Sequence, residues 1–247
     1  IAEMAGSLFG DLCSDDRLRA FTSSGERWMP DLWAKCVETG LHALAIPEAA
    51  GGSGLGMTEL MLVLEAQGRG LGMVPLGRHQ LAAATLDRFG AAAHQPLVEQ
   101  AATGEALLSL ALDGLAGSTG VALEARPEGD GFALHGRVPA LPLGMESAAA
   151  LVPATTPDGL RLVLLRLDAE GLDKLPGVLT HGEGVAELHC RGVLLGAADV
   201  LPAAALAWLE PRAIAALAAL QLGVSAEQVR RTVAYVSERV QFERPIG

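Results

Sequence analysis

The hydrophobic period of this chain changes twice, and those two changes constrain its fold more than any single residue does. Up to about residue 104, apolar side chains recur at helical spacing. From Glu105 they fall into short runs divided by turn text such as Pro127-Glu-Gly-Asp-Gly131 and Thr156-Pro-Asp-Gly159. From Ala203 the helical spacing returns and lasts to Phe242. The order predicts an α+β multi-domain chain. An N-terminal helical domain covers 1–104, a central antiparallel β barrel or sandwich covers 105–202, and the beginning of a C-terminal helical bundle covers 203–247.

Within the first part, helices are expected over 1–12, 28–44, 80–89 and 96–102. In the second of these Trp28, Leu32, Trp33, Cys36, Val37 and Leu41 share one face. Residues 45–56 read as a glycine-rich loop, and Thr58 as the N-cap of a helix through Leu60, Leu64 and Gln67 that stops near 68–70. The β part is expected over 107–112, 120–126, 132–138, 148–154, 160–167, 178–179, 185–190 and 193–195. The last helix is too apolar to stand alone, so further chain or another subunit must cover it.

Half of the 247 residues are apolar and 4% are aromatic, so the core is built from Ala, Leu and Val. A net charge of −11 with no basic run argues against nucleic acid as a partner. Cys13, Cys36 and Cys190 are odd in number and widely spaced, which suits a reducing cytosol rather than a disulfide framework. The longest apolar run, near 213–222, is shorter than the ~20 residues of a membrane span. A cytoplasmic protein with no membrane partner and no bound metal is expected.

Arg239, Gln241 and Phe242 crowd the close of the last helix, ahead of Pro245. A guanidinium fork suits a phosphate, an amide adds neutral donors, and the ring adds a flat apolar wall. The same group also suits a solvated helix end, where a cation near the last carbonyls is favourable with no ligand at all.

Four segments carry a resemblance. These are Gly40-Leu-His-Ala-Leu-Ala-Ile-Pro-Glu-Ala-Ala-Gly-Gly-Ser-Gly-Leu-Gly56, Glu59-Leu-Met-Leu-Val-Leu-Glu-Ala-Gln-Gly-Arg69, Ala186-Glu-Leu-His-Cys-Arg-Gly-Val-Leu-Leu-Gly196 and the stretch 235–247. With the helical–β–helical order, they resemble the acyl-CoA dehydrogenase family across the whole chain. The resemblance implies α,β-desaturation of an acyl-CoA thioester: a carboxylate takes the α proton and FAD takes the β hydride. It also implies that Arg239, Gln241 and Phe242 reach the FAD diphosphate of a neighbouring subunit.

The chain departs from that family in two places. The stretch lying along flavin and thioester reads Leu112-Asp-Gly-Leu-Ala-Gly-Ser-Thr119, which keeps only Ala116-Gly117-Ser118. Ser118 is the retained donor, although a local backbone bond suits it equally, and Asp113 suits a solvated turn. Where the family sets an aromatic residue and a Thr against the flavin ring, Ala140 and Pro142 stand instead. The catalytic Glu of most members falls beyond Gly247; in one branch it opens the C-terminal domain, where Glu210 is a weak candidate.

Match and mismatch together imply a partner subunit of a heteromer, a tetramer of two related chains of the steroid side-chain type. Such a chain keeps the cross-subunit grip on FAD and lacks its own flavin cradle. Two alternatives stay open. One is a complete dehydrogenase with its base beyond Gly247 or at Glu210; the other is a flavin-free scaffold. Gly52-x-Gly54-x-Gly56 lacks a preceding strand, so it reads as a turn rather than a dinucleotide fingerprint. His189 and Cys190 point to opposite faces of a strand, and His42, His79, His94, His135 and His181 are scattered along the chain.

Overall fold

A computed structural model of the chain describes residues 1–112, 114–115 and 120–246. Six helices come first: α1 (Ala2–Leu12), α2 (Asp15–Ser24), α3 (Pro30–Glu38), α4 (Met57–Gly70), α5 (Leu76–Phe89) and α6 (Gln95–Thr103). Seven strands follow: β1 (Leu108–Leu110), β2 (Leu123–Glu128), β3 (Gly131–Pro142), β4 (Ala149–Thr156), β5 (Gly159–Arg166), β6 (Leu172–Val178) and β7 (Gly184–Gly196). The long α7 (Ala203–Glu238) and a small hairpin of β8 (Val240–Gln241) and β9 (Arg244–Pro245) complete the chain.

α2 is absent from the sequence expectation because its surface is polar and none of its residues is buried. Its ends are nonetheless well marked. The Ser14 side chain accepts from the Arg17 N–H, Asp15 and Asp16 fill the first turn, and Gly25 closes it in the left-handed conformation. α3 stops at Glu38, well short of residue 44, because Gly40 turns the chain at φ 73°. α4 starts one residue before Thr58: Gly56 is the N-cap, and Glu59 reaches back to its N–H at 3.0 Å.

The sheet is mixed, which corrects the expected all-antiparallel domain. Its order is β1-β4-β2-β3-β7-β6, with β5 on the free side of β4. β1 runs parallel to the first half of β4 (Leu108↔Ala149), and β2 meets its far end in parallel at Glu124↔Thr155. The remaining pairs are antiparallel. The β2–β3 hairpin lies between β1 and β4 in sequence, so the return to β1's direction is a crossover rather than a tight turn.

β4 and β5 read as continuous apolar runs because both of their faces are buried. Ala149, Leu151, Leu162 and Leu164 face the helical core. Ala150, Val152, Val163 and Leu165 face the second core, inside the sheet. α7 crosses α4 at two glycines: a methyl on Gly68 would strike the Leu220 carbonyl, and one on Gly223 the Glu65 carbonyl. By length and composition α7 could cross a membrane, its most apolar 18-residue window averaging a hydropathy of 1.4. Glu210 and Arg212 interrupt the apolar stretch, so the unbroken run in the sequence is shorter than a span. Here α7 lies against α4 and α5 with Ala205, Leu209, Ala216 and Gly223 buried. Ile214, Leu217, Val229 and Val233 on the same helix are exposed.

Candidate functional site

α7 ends at Glu238, four residues before the expected Phe242, so Pro245 does not terminate it. Arg239 is its C-cap, with the N–H bonded to the Tyr235 carbonyl at 2.9 Å. The Arg239 guanidinium lies over the Tyr235 ring, 5.4 Å from its centroid, and donates to the Tyr235 hydroxyl. Gln241 and Phe242 therefore belong to a hairpin and not to a helix end. Gln241 pairs with Arg244, and Ile246 N–H bonds the Arg239 carbonyl at 3.1 Å. The two turn residues, Phe242 (φ 51°) and Glu243 (φ 66°), are both left-handed, as a two-residue hairpin of type I′ requires. Asn and Gly take that geometry easily; a Phe there costs about 1–2 kcal/mol. Its side chain is 94% exposed. The arm thus presents two arginines, an amide and a bare aromatic ring. Among the described residues neither Arg239 nor Arg244 has an ion-pair partner.

The second group of sequence candidates lies in and beside β3. Ser118 and Asp113 fall outside the described residues. The β3–β7 ladder is broken between Val138 and Leu141, and Ala140 sits half-buried in that break. Pro142 is buried opposite Val185, and its carbonyl accepts from the Ser109 hydroxyl at 2.5 Å. Neither residue offers a side-chain donor, and Pro142 has no backbone N–H.

A cavity of about 280 Å³ opens between α4, α5, β1 and α7, with Leu64, Leu81, Leu110 and Leu217 on its walls. Its polar residues are Gln67 and Arg78. Gln67 donates to the carbonyls of Gly72 at 2.9 Å and Val74 at 2.7 Å, holding the α4–α5 turn, while its own buried carbonyl oxygen has no partner. Arg78 pairs with Glu183, on the turn between β6 and β7. Glu210 is half-buried on α7, one turn before the cavity-lining Ala213 and Ile214, and does not itself line the cavity. Helical spacing puts it on the same stripe. Glu210 thus lies one turn along α7 from the cavity lining and apart from the hairpin, which follows the other end of the 36-residue helix.

The histidines scattered along the sequence do not all stay apart. His42 and His79 lie 6.2 Å apart, centroid to centroid, with Trp33 edge-on to both. His79 Nδ1 accepts from the Leu108 N–H at 3.2 Å, which leaves Nε2–H to donate to the Ala101 carbonyl at 3.1 Å. Both of its nitrogens are committed in the neutral form, and burial pushes its pKa down to about 3. His94 joins Asp199 at 2.9 Å, tying the helical layer to the end of β7. Cys190 is buried and His189 contacts Glu187 at 3.1 Å. Among the described residues no three His, Cys, Asp or Glu side chains gather at metal-binding distances.

Comparison with known proteins places this architecture. The family model for the acyl-CoA dehydrogenase N-terminal domain matches residues 16–105. The curated acyl-CoA dehydrogenase FadE27 of Mycobacterium tuberculosis is 33% identical over 244 residues, covering 96% of this chain and 64% of its own length. Among solved structures, the Tcur3481-Tcur3483 steroid ACAD (G363A variant) superposes with a TM-score of 0.92 at 36% identity, over 100% of this chain and 68% of that one. The ChsE4-ChsE5 complex from Mycobacterium tuberculosis gives a TM-score of 0.92 at 30% identity, with the same coverage. The chain belongs to the acyl-CoA dehydrogenase family. It spans less than two thirds of the curated relatives it matches first, 64% of one and 62% of the next.

For FAD, which the family implies, the terminal arm has suitable donors and the side chains of Ala140 and Pro142 have none. The hairpin supplies a charged donor fork and an amide at an open surface, a set suited to a diphosphate. At the break in β3 the methyl of Ala140 and the buried ring of Pro142 supply neither a ring-covering surface nor a donor. The cavity walls escaped the sequence analysis because they come from four elements. One signal was available: Val74, Gly77, Arg78 and Leu81 recur at helical spacing, with a lone cation in an apolar stripe.

Proposed function

We propose that this chain is a non-catalytic subunit of an FAD-dependent acyl-CoA dehydrogenase in the cytoplasm, assembled as a heterotetramer with a homologous chain. Its task is to complete the partner's FAD site. The observation that carries this reading is the contrast between the terminal arm and the break in β3. The 239–246 arm is exposed and rich in phosphate-type donors, while Ala140 and Pro142 replace the groups a flavin ring needs. Arg239 and Gln241 bind the diphosphate and Phe242 packs on the cofactor. FAD, held mainly by the partner, would supply the hydride-accepting chemistry, and the base would be the partner's rather than Glu210. Ser118 is kept as a further cofactor contact. We take 1–104, 105–202 and 203–247 as the domain limits. The steroid-type and two-chain names of the similar structures support a steroid side-chain acyl thioester as the substrate.

The test is co-expression of the full-length chain with a homologous acyl-CoA dehydrogenase chain from the same organism. One FAD per unlike pair is expected from absorbance at purification, and Arg239→Ala should weaken FAD binding about tenfold or more, since a charge-assisted hydrogen bond is worth roughly 1.5–3 kcal/mol. A yellow, active protein from this chain alone would defeat the proposal.

A further inference from the structure

The cavity between α4, α5, β1 and α7 has more specificity built into it than its leucines suggest. Among the described residues that line it, Arg78 is the one charged side chain. Gln67, the other polar one, has both amide hydrogens committed to Gly72 and Val74. Donors for anything inside the cavity therefore come from Arg78.

That guanidinium is held in place. Both of its terminal nitrogens face the Glu183 carboxylate, Nη2 at 3.3 Å, and the Glu183 side chain is only 13% exposed. Glu183 is itself fixed by the short turn between β6 and β7, where the Leu179 N–H bonds its carbonyl at 2.9 Å. A guanidinium carries five N–H donors, and a carboxylate facing two nitrogens leaves Nε–H and outer hydrogens for another acceptor. A plain hydrocarbon laid against them strips their water and returns nothing. An oxygen placed there gains a charge-assisted hydrogen bond to a donor that needs no reordering.

We propose that this cavity receives the acyl part of a ligand whose hydrocarbon body carries a ketone or carboxylate oxygen, and that Arg78 selects such oxygenated chains over plain ones. Glu183 is the positioning residue. The proposal rests on the reading of this chain as an acyl-CoA dehydrogenase subunit. It concerns binding alone and needs no flavin on this chain.

The experiment is calorimetric titration of the full-length chain, assembled with its partner, with matched thioesters: 7-oxooctanoyl-CoA against octanoyl-CoA and 9-oxodecanoyl-CoA against decanoyl-CoA. At one length or both, the oxo compound should bind about tenfold tighter, the discrimination a satisfied polar contact supports. Arg78→Met should erase that preference, weakening the oxo compound and, with no cation left to desolvate, tightening the plain one. Glu183→Gln keeps the cation but loosens its hold, and should reduce the preference without abolishing it. Carbon-13 at the ketone should shift downfield on binding to the wild-type complex, a readout that does not depend on any variant folding. Equal binding of oxo and plain chains at both lengths, an unshifted ketone, or a preference that survives Arg78→Met overturns the proposal. If neither thioester binds while FAD does, the acyl reading of the cavity itself falls.

Discussion

His79 has no exposed surface, and a proton on it would be an unsolvated charge facing the Leu108 N–H. Its pKa falls from 6.5 to about 3 on folding, so between those values the unfolded chain holds the extra proton. Stability is therefore complete above about pH 6.5 and drains away as pH falls towards 3. The loss from this one residue is about 2 kcal/mol at pH 5. Urea unfolding at pH 7 and pH 5 checks it, and His42, whose pKa is also lowered by burial, adds to the same slope. The cysteines give a second residue-scale expectation. Burial raises Cys36 to about 12 and both Cys13 and Cys190 to about 11. A thiol reagent at pH 8 should label none of them in the native protein and all three in denaturant. The identity of the arm residues was legible in the sequence; their conformation was not. Helical spacing predicts one helix end for Arg239, Gln241 and Phe242, but hydrophobic period says nothing about a left-handed turn occupied by Phe242 and Glu243. The His42–His79 pairing was equally hidden, because nothing in local spacing links positions on two different elements.

Among the elements, the α4–α7 crossing depends most on a missing side chain. Gly68 and Gly223 let the two backbones touch, and Gly223→Ala would push a methyl into the Glu65 carbonyl. About 3 kcal/mol or more of stability should be lost, with a clear drop in melting temperature. Gly6, exposed in the middle of α1 with nothing near its missing methyl, is the control. Gly6→Ala should raise stability by about 0.5–1 kcal/mol, the usual helix-interior difference. The change of period at 105 and 203 reported the element types faithfully, because burial on one face writes itself into spacing. Strand direction was not legible. The apolar runs of β4 and β5 are the mark of strands covered on both sides, which is also the setting in which parallel pairing occurs, and that was the clue to a mixed sheet.

At the scale of the whole molecule, α7 carries an exposed apolar face. Ile214, Leu217, Val229 and Val233 are each more than half exposed. The 247-residue chain by itself should bind a hydrophobic dye strongly, and assembly with a covering partner should suppress that signal. Arg231 anchors the same helix to the N-terminal layer: it bonds both oxygens of Asp15, at 2.7 and 3.0 Å, and Glu227 at 2.7 Å. That pair ties α7, two turns before the arm, to the start of α2.

The doubly covered β4–β5 pair has a consequence for anyone wishing to dissect this protein. A strand whose odd residues plug one interior and whose even residues plug another is a party wall, and neither room has a side of its own without it. Expressed separately, fragments ending near residue 104 or starting near 105 should each come out as collapsed, unstructured material. The intact polypeptide should melt in a single step, since neither half can be released while the other stays shut.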